Sequence, residues 1–191
     1  VHSERSANET RKAGGPLFGL QTWVALPKAK EEADPAFFHH AADTIPETEA
    51  DGVHIRVVAG SSDGLTSPVQ AFSDMLYADV TLQDGARYQL SAEHIERAVY
   101  VISGALAVEG QSGQFDAGEL VIFKPDAEIV LQAKGPTRIM LVGGEPLDGP
   151  RHIYWNFVSS SRERIEQAKE DWRQGRFESV PGESEFIPLP D

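Results

Sequence analysis

Apolar residues along this chain fall into short runs separated by glycine, proline or aspartate: HIRVVAG, DMLYADVTL, RYQL, RAVYVISG, ALAVEG, ELVIFK, EIVLQA and RIMLVGG, all between His54 and Gly144. Apolar stretches this brief, bounded by turn residues, predict a succession of seven or eight strands and hence an all-β sandwich or barrel. Upstream, in GGPLFGLQTWVAL (Gly14–Leu26), Leu20, Thr22, Val24 and Leu26 alternate with Gln21, Trp23 and Ala25, a period of two that predicts one more strand. Lys28 to Gly52 is charged and broken by Pro35 and Pro46, and reads as a long connection with one short strand near Ala41–Thr44.

The pattern changes only near the end. Ser160 and Glu163 have capping-box spacing, Ile165, Ala168 and Trp172 recur at helical intervals, and Gly175 stands where a C-terminal cap falls. These signals predict one amphipathic α-helix over about 160–174. The aromatic run HIYWNF just before it, with Tyr154, Trp155 and Phe157, reads as packing surface.

Composition narrows the classes of function. The 191 residues carry 30 acidic against 17 basic side chains, a net charge of −13, so the averaged field repels nucleic acid and anionic membranes. There is no apolar window long enough to span a bilayer. With no cysteine, neither a disulfide framework nor a thiolate metal site can form, and a reducing, cytoplasmic location is expected. Any metal would have to be held by imidazole and carboxylate. Phosphate loops, nucleophile elbows, dinucleotide fingerprints and HExxH are all missing, which removes support for kinase and hydrolase chemistry.

Two His-x-Glu spacings remain. On a strand, His2 and Glu4 would point to one face while Ser3 points away, and an imidazole nitrogen with a carboxylate oxygen suits iron, manganese, nickel or zinc. From the spacing alone a frayed polar terminus accounts for them better, since His-x-Glu recurs often by chance. His94 and Glu96 form the second pair. His39 and His40 follow Phe37 and Phe38 in the charged connection, and His54 and His152 stand singly in apolar runs, where a histidine is ordinarily structural.

RHIYWNFVSSSRERIEQAKEDWRQGRF followed by VPGESEFIPLP resembles the C-terminal signature of bacterial pirin-family proteins. GLQTWVALP, IRVVAG, MLYADVTLQDGARYQL and YVISGALAVEG resemble the same family in the same order, so the likeness extends over nearly the whole chain. It implies a bicupin: two β-barrels of the cupin type, here with a short C-terminal α-helix. The family's N-terminal barrel holds one metal, usually iron, through three histidines and a glutamate. VHSE matches the last element of that motif at His2 and Glu4, and the resemblance makes Glu4 both ligand and catalytic base. The HPH-like element would lie upstream of Val1. The expectation is therefore an N-terminally truncated member: 1–50 the end of the first barrel and a linker, 51–150 the C-terminal cupin barrel, 151–191 helix and tail. The missing segment, or a second copy, would complete the first barrel.

The second barrel departs from metal-binding cupins. Seven residues before Gly104, where such cupins place a glutamate, stands Arg97; the preceding histidine positions fall among Leu90 to Glu93; and five residues after Pro125 stands Val130. His94 and Glu96 are near these places but out of register. The resemblance implies an iron-dependent dioxygenase acting on quercetin-type flavonols, with one divalent metal, expected to be Fe(II). Its other implication is a metal-dependent regulatory module that docks on a protein partner without turnover.

Overall fold

The structure is a computed structural model that describes residues 6–182 and 184–190. Its contacts divide the chain into two units, one formed by residues 36–146 and the other by 1–35 together with 147–191.

The larger unit is built from eleven strands: β1 (Glu47–Ala50), β2 (Val53–Ser62), β3 (Leu65–Thr66), β4 (Met75–Leu82), β5 (Arg87–Gln89), β6 (Glu96–Ser103), β7 (Ala105–Val108), β8 (Phe115–Asp116), β9 (Leu120–Ile122), β10 (Val130–Ala133) and β11 (Thr137–Gly144). All eight apolar runs named above became strands. They form two antiparallel sheets, one in the order β1-β2-β4-β11-β6-β9 with β3 on β2, the other β5-β10-β7-β8. Strict alternation explains the layering. In β2, Val53, Ile55 and Val57 are buried while His54, Arg56 and Val58 are not. Leu76, Val80, Val99, Val101, Ile139 and Leu141 of the first sheet meet Leu106, Leu131 and Tyr88 of the second in one core. A fully buried aliphatic side chain contributes about 1.5–3 kcal/mol, and this cluster is the unit's main source of stability.

Two glycines shape the sheets. The β2–β4 register shifts between Val57 and Ala59, and Gly60 then adopts φ +75, where a Cβ would lie 1.7 Å from the Met75 carbonyl oxygen. Gly104, between β6 and β7, has φ +76, and a Cβ there would stand 2.4 Å from the Pro136 carbonyl oxygen. Only glycine permits these approaches.

Two strand expectations fail. No strand forms over 14–26 among the described residues, and Ala42–Thr44 is a single 3-10 turn. Alternation makes a strand only where another strand offers a ladder, and the Leu26 carbonyl instead accepts from Arg151 Nη2 at 2.6 Å. At Thr44 the hydroxyl donates to the Ala41 carbonyl at 2.7 Å, a local bond that favours a turn.

The smaller unit contains the short helix α1 (Asn8–Ala13), the hairpin β12 (His152–Tyr154) and β13 (Phe157–Ser159), and the helix α2 (Arg162–Arg173). The cap of α2 falls one residue later than its spacing suggested: Ser161 Oγ accepts from the Arg164 N–H at 3.1 Å. Ile165 and Ala168 are buried, and Gly175 closes the end at φ +64. The helix packs on the hairpin through aromatic rings. Trp172 meets Trp155 edge-on at 5.1 Å and stacks on Phe186 at 5.5 Å, while Phe157 stacks on Phe177 at 5.8 Å. Trp155 sits at the hairpin turn with φ 48, a strained backbone for a bulky residue that its ring contacts hold in place.

An ion network ties the unit's two chain segments together. Arg151, 5% exposed, brings Nε within 2.6 Å of Glu31 Oε1, too oblique for a hydrogen bond, and pairs through Nη2 with Asp148 Oδ1 at 2.6 Å. It also donates to the carbonyls of Leu26 and Gly149. Glu31 accepts from the Ser160 N–H at 3.0 Å and the Ser160 hydroxyl at 2.9 Å. Burial pushes the Glu31 carboxyl up, but the Ser160 N–H and hydroxyl, the Arg151 charge and the Ser159 hydroxyl outweigh it and hold it below the ordinary range.

Candidate functional site

His2 and Glu4 lie outside the described residues. Among the described residues, no three histidine, aspartate or glutamate side chains are grouped so as to hold a metal, and in the larger unit one position accounts for part of this in chemical terms. On β6 the period of two places Arg97 on the same face as Val99 and Val101, which are fully buried. The position from which a metal-binding cupin offers a carboxylate thus presents a guanidinium, which repels a cation and has no lone pair to donate. These residues do not fit a metal.

The second His-x-Glu pair is split by the fold. His94, 3% exposed, shares a hydrogen bond with the Ser61 carbonyl through Nε2 at 2.9 Å, whereas Glu96 is exposed. Asp74 Oδ1 stands 3.8 Å from His94 Nδ1, beyond hydrogen-bond range. His94 is therefore a structural residue that fastens the chain before β6 to the end of β2. His54 belongs to a surface cluster, 3.4 Å from Glu47 Oε2, where the Arg56 guanidinium also bonds and holds the Glu47 carboxyl below its usual range. His39 is exposed in the connection and His152 lies on β12.

Around Arg97 there is an open pocket of about 370 Å³, lined by Leu90, Ser91, Ala92, Ala127 and Ile129 with Gln89, Asp126 and Glu128 beside them. Arg97 is 3% exposed. Its Nη1 donates to the Ser91 carbonyl at 3.1 Å and its Nη2 to the Ala127 carbonyl at 2.8 Å, while Nε has no hydrogen-bond partner. Counting back from Gly104 found the position of Arg97. Its carbonyl partners could not be found that way, since one of them is 30 residues away in the chain.

A separate polar knot closes another part of this unit. The buried Tyr88 hydroxyl donates to Asp63 Oδ2 at 2.8 Å, and Ser62 donates to the same oxygen at 2.7 Å. Burial and then the Asp63 charge push the Tyr88 phenol far above its ordinary value, so it acts as a fixed donor.

Comparison with known proteins gives a consistent picture. The pirin C-terminal cupin domain matches residues 77–178. A pirin-like protein of Caulobacter vibrioides is 42% identical over 194 residues, covering 100% of this chain and 66% of its own. Pirin-1 of Arabidopsis thaliana is 29% identical over 182 residues, covering 92% of this chain and 61% of its own. A crystal structure of quercetin 2,3-dioxygenase from Acinetobacter baumannii superposes with a TM-score of 0.77 at 27% identity, covering 88% of this chain and 57% of that one. The chain thus spans less than two thirds of the length of each of these relatives.

Proposed function

We propose, from the premise that this chain belongs to the pirin family and has its cupin fold, that the whole protein is a metal-dependent dioxygenase of the quercetin 2,3-dioxygenase kind. The observation that carries this reading is the likeness to the Acinetobacter quercetin 2,3-dioxygenase, which covers 88% of the chain. In this reading His2 contributes an imidazole nitrogen and Glu4 a carboxylate oxygen to the metal, expected to be Fe(II), and the remaining ligands come from outside this chain. A bound iron would supply open positions for a flavonol oxygen and for dioxygen. Glu4 would accept the proton of the flavonol hydroxyl, a role open to a carboxylate within hydrogen-bond reach. The second barrel gives no ligand, because Arg97 holds the place of the carboxylate. The lack of cysteine supports action in the cytoplasm.

The full-length protein, loaded with Fe(II) and mixed aerobically with quercetin, is expected to bleach the flavonol absorbance and consume oxygen. His2→Ala is expected to reduce bound iron by about tenfold or more, the scale on which damage to a ligand set acts, and to abolish turnover. Full iron occupancy without loss of quercetin would refute the dioxygenase reading. Unchanged iron in His2→Ala would refute the ligand assignment.

A further inference from the structure

The guanidinium of Arg97 enters the barrel interior beside Leu90 and Ile129, 4% and 2% exposed, and no carboxylate among the described residues is in ion-pair range of it. A buried cation without a counter-charge is costly, and two carbonyls answer only part of the need. Arginine carries five N–H donors; here each Nη uses one and keeps one, while Nε, itself buried, uses none. The guanidinium edge suits a carboxylate, and beside it lies an open pocket whose lining is about half polar and half apolar.

We propose that this pocket binds a small organic monocarboxylate, its carboxylate paired with Arg97 and its apolar body against Ala92 and Ala127. The rim sets the charge it accepts. Asp126 and Glu128 are exposed at the mouth, so a ligand with several negative charges meets repulsion before it reaches the single buried cation. A monoanion with an uncharged body meets the least. Such a site makes the second barrel a ligand-binding module of its own, needing neither a metal nor His2 and Glu4.

Benzoate is a suitable probe, with citrate and inorganic phosphate as polyanionic controls, in calorimetric titrations of the full-length protein. Saturable benzoate binding is expected below about 10 mM, with citrate and phosphate at least tenfold weaker. Arg97→Met keeps the length and removes the fork, and should lose at least tenfold in affinity; Arg97→Lys keeps the charge without the fork and should lose several-fold. Glu128→Gln is an exposed change that leaves the fold alone, so it tests the site even if an Arg97 variant fails to fold. It should tighten benzoate about two- to threefold at low salt, an advantage that fades in high salt. No saturable response, identical curves for wild type and Arg97→Met, or no effect of Glu128→Gln would each overturn the proposal and leave Arg97 as a clip between two loops.

Discussion

Replacing Arg151 with methionine takes out the guanidinium that joins residues 26–31 to residues 148–160 and leaves an apolar chain of similar length. The Leu26 and Gly149 carbonyls each lose a charged donor, at about 1.5 kcal/mol apiece. Asp148, half exposed, loses a solvent-screened partner and adds little. Glu31 keeps its Ser159 and Ser160 donors, which limits its penalty to about 1 kcal/mol. Packing of the methionine returns part of this, so the expected loss is about 3 kcal/mol, at the lower edge of what breaking a buried ion pair costs. Glu31→Gln should show the pairing directly: in a double-mutant cycle with Arg151→Met, a coupling of about 1–2 kcal/mol is expected. Urea unfolding followed by tryptophan fluorescence is the right assay, because Trp23, Trp155 and Trp172 all belong to the unit that holds Arg151, while far-UV circular dichroism follows the strands of 36–146. With a slope of about 1.5 kcal/mol/M the midpoint should fall by about 2 M. A fall under about 0.5 M, or effects that simply add, would show that the network is screened by solvent and does not hold the unit together.

Acid should act on the same network. The Glu31 carboxyl is held below its ordinary value of 4.5, so the unfolded chain takes up the proton first; the contribution is complete above that value and fades as pH falls through the lower folded one. Wild type should therefore lose fluorescence-monitored stability in this acid window more steeply than Glu31→Gln. Gly60→Ala should cost about 2 kcal/mol or more, since left-handed backbone alone costs about 1–2 kcal/mol and the new Cβ meets the Met75 carbonyl; circular dichroism during thermal unfolding measures it. His94→Ala, which leaves the Ser61 carbonyl without its partner, should cost about 1–3 kcal/mol and leave the iron content of the full-length protein unchanged.

The strands of the larger unit were legible because each apolar run was marked by turn residues and alternated in step with its burial, as in Val53, Ile55 and Val57. What escaped was set by partners elsewhere in the chain. Glu47–Ala50 is a strand of four exposed residues, with no apolar pattern to find; it exists because β2 offers it a ladder. Leu20 to Leu26 has the pattern and no ladder. Arg97 could be located by counting, but an arginine in a strand gives no sign of whether it lies on the surface or deep in a barrel. The Arg151–Glu31 pair left no local trace at all, since its members are far apart and each looks like an ordinary surface charge. His94 and Glu96 show the limit of spacing as a signal: two residues at the right interval diverged because His94 precedes the strand that begins at Glu96.

The division of the chain has a consequence for its synthesis. One unit is made from both sides of the other, so on the ribosome Glu31 emerges well before Arg151, Ser159 and Ser160. At about 5–20 residues per second, the 120 residues from Glu31 to Arg151 take about 6–24 s to add, longer than most β-domains need to fold. The barrel of 36–146 can therefore be complete while Glu31 still awaits Arg151, Ser159 and Ser160. During that interval the Leu26 carbonyl and the Glu31 carboxylate lack their partners, and the smaller unit closes only once Ser160 has followed Arg151 out of the ribosome.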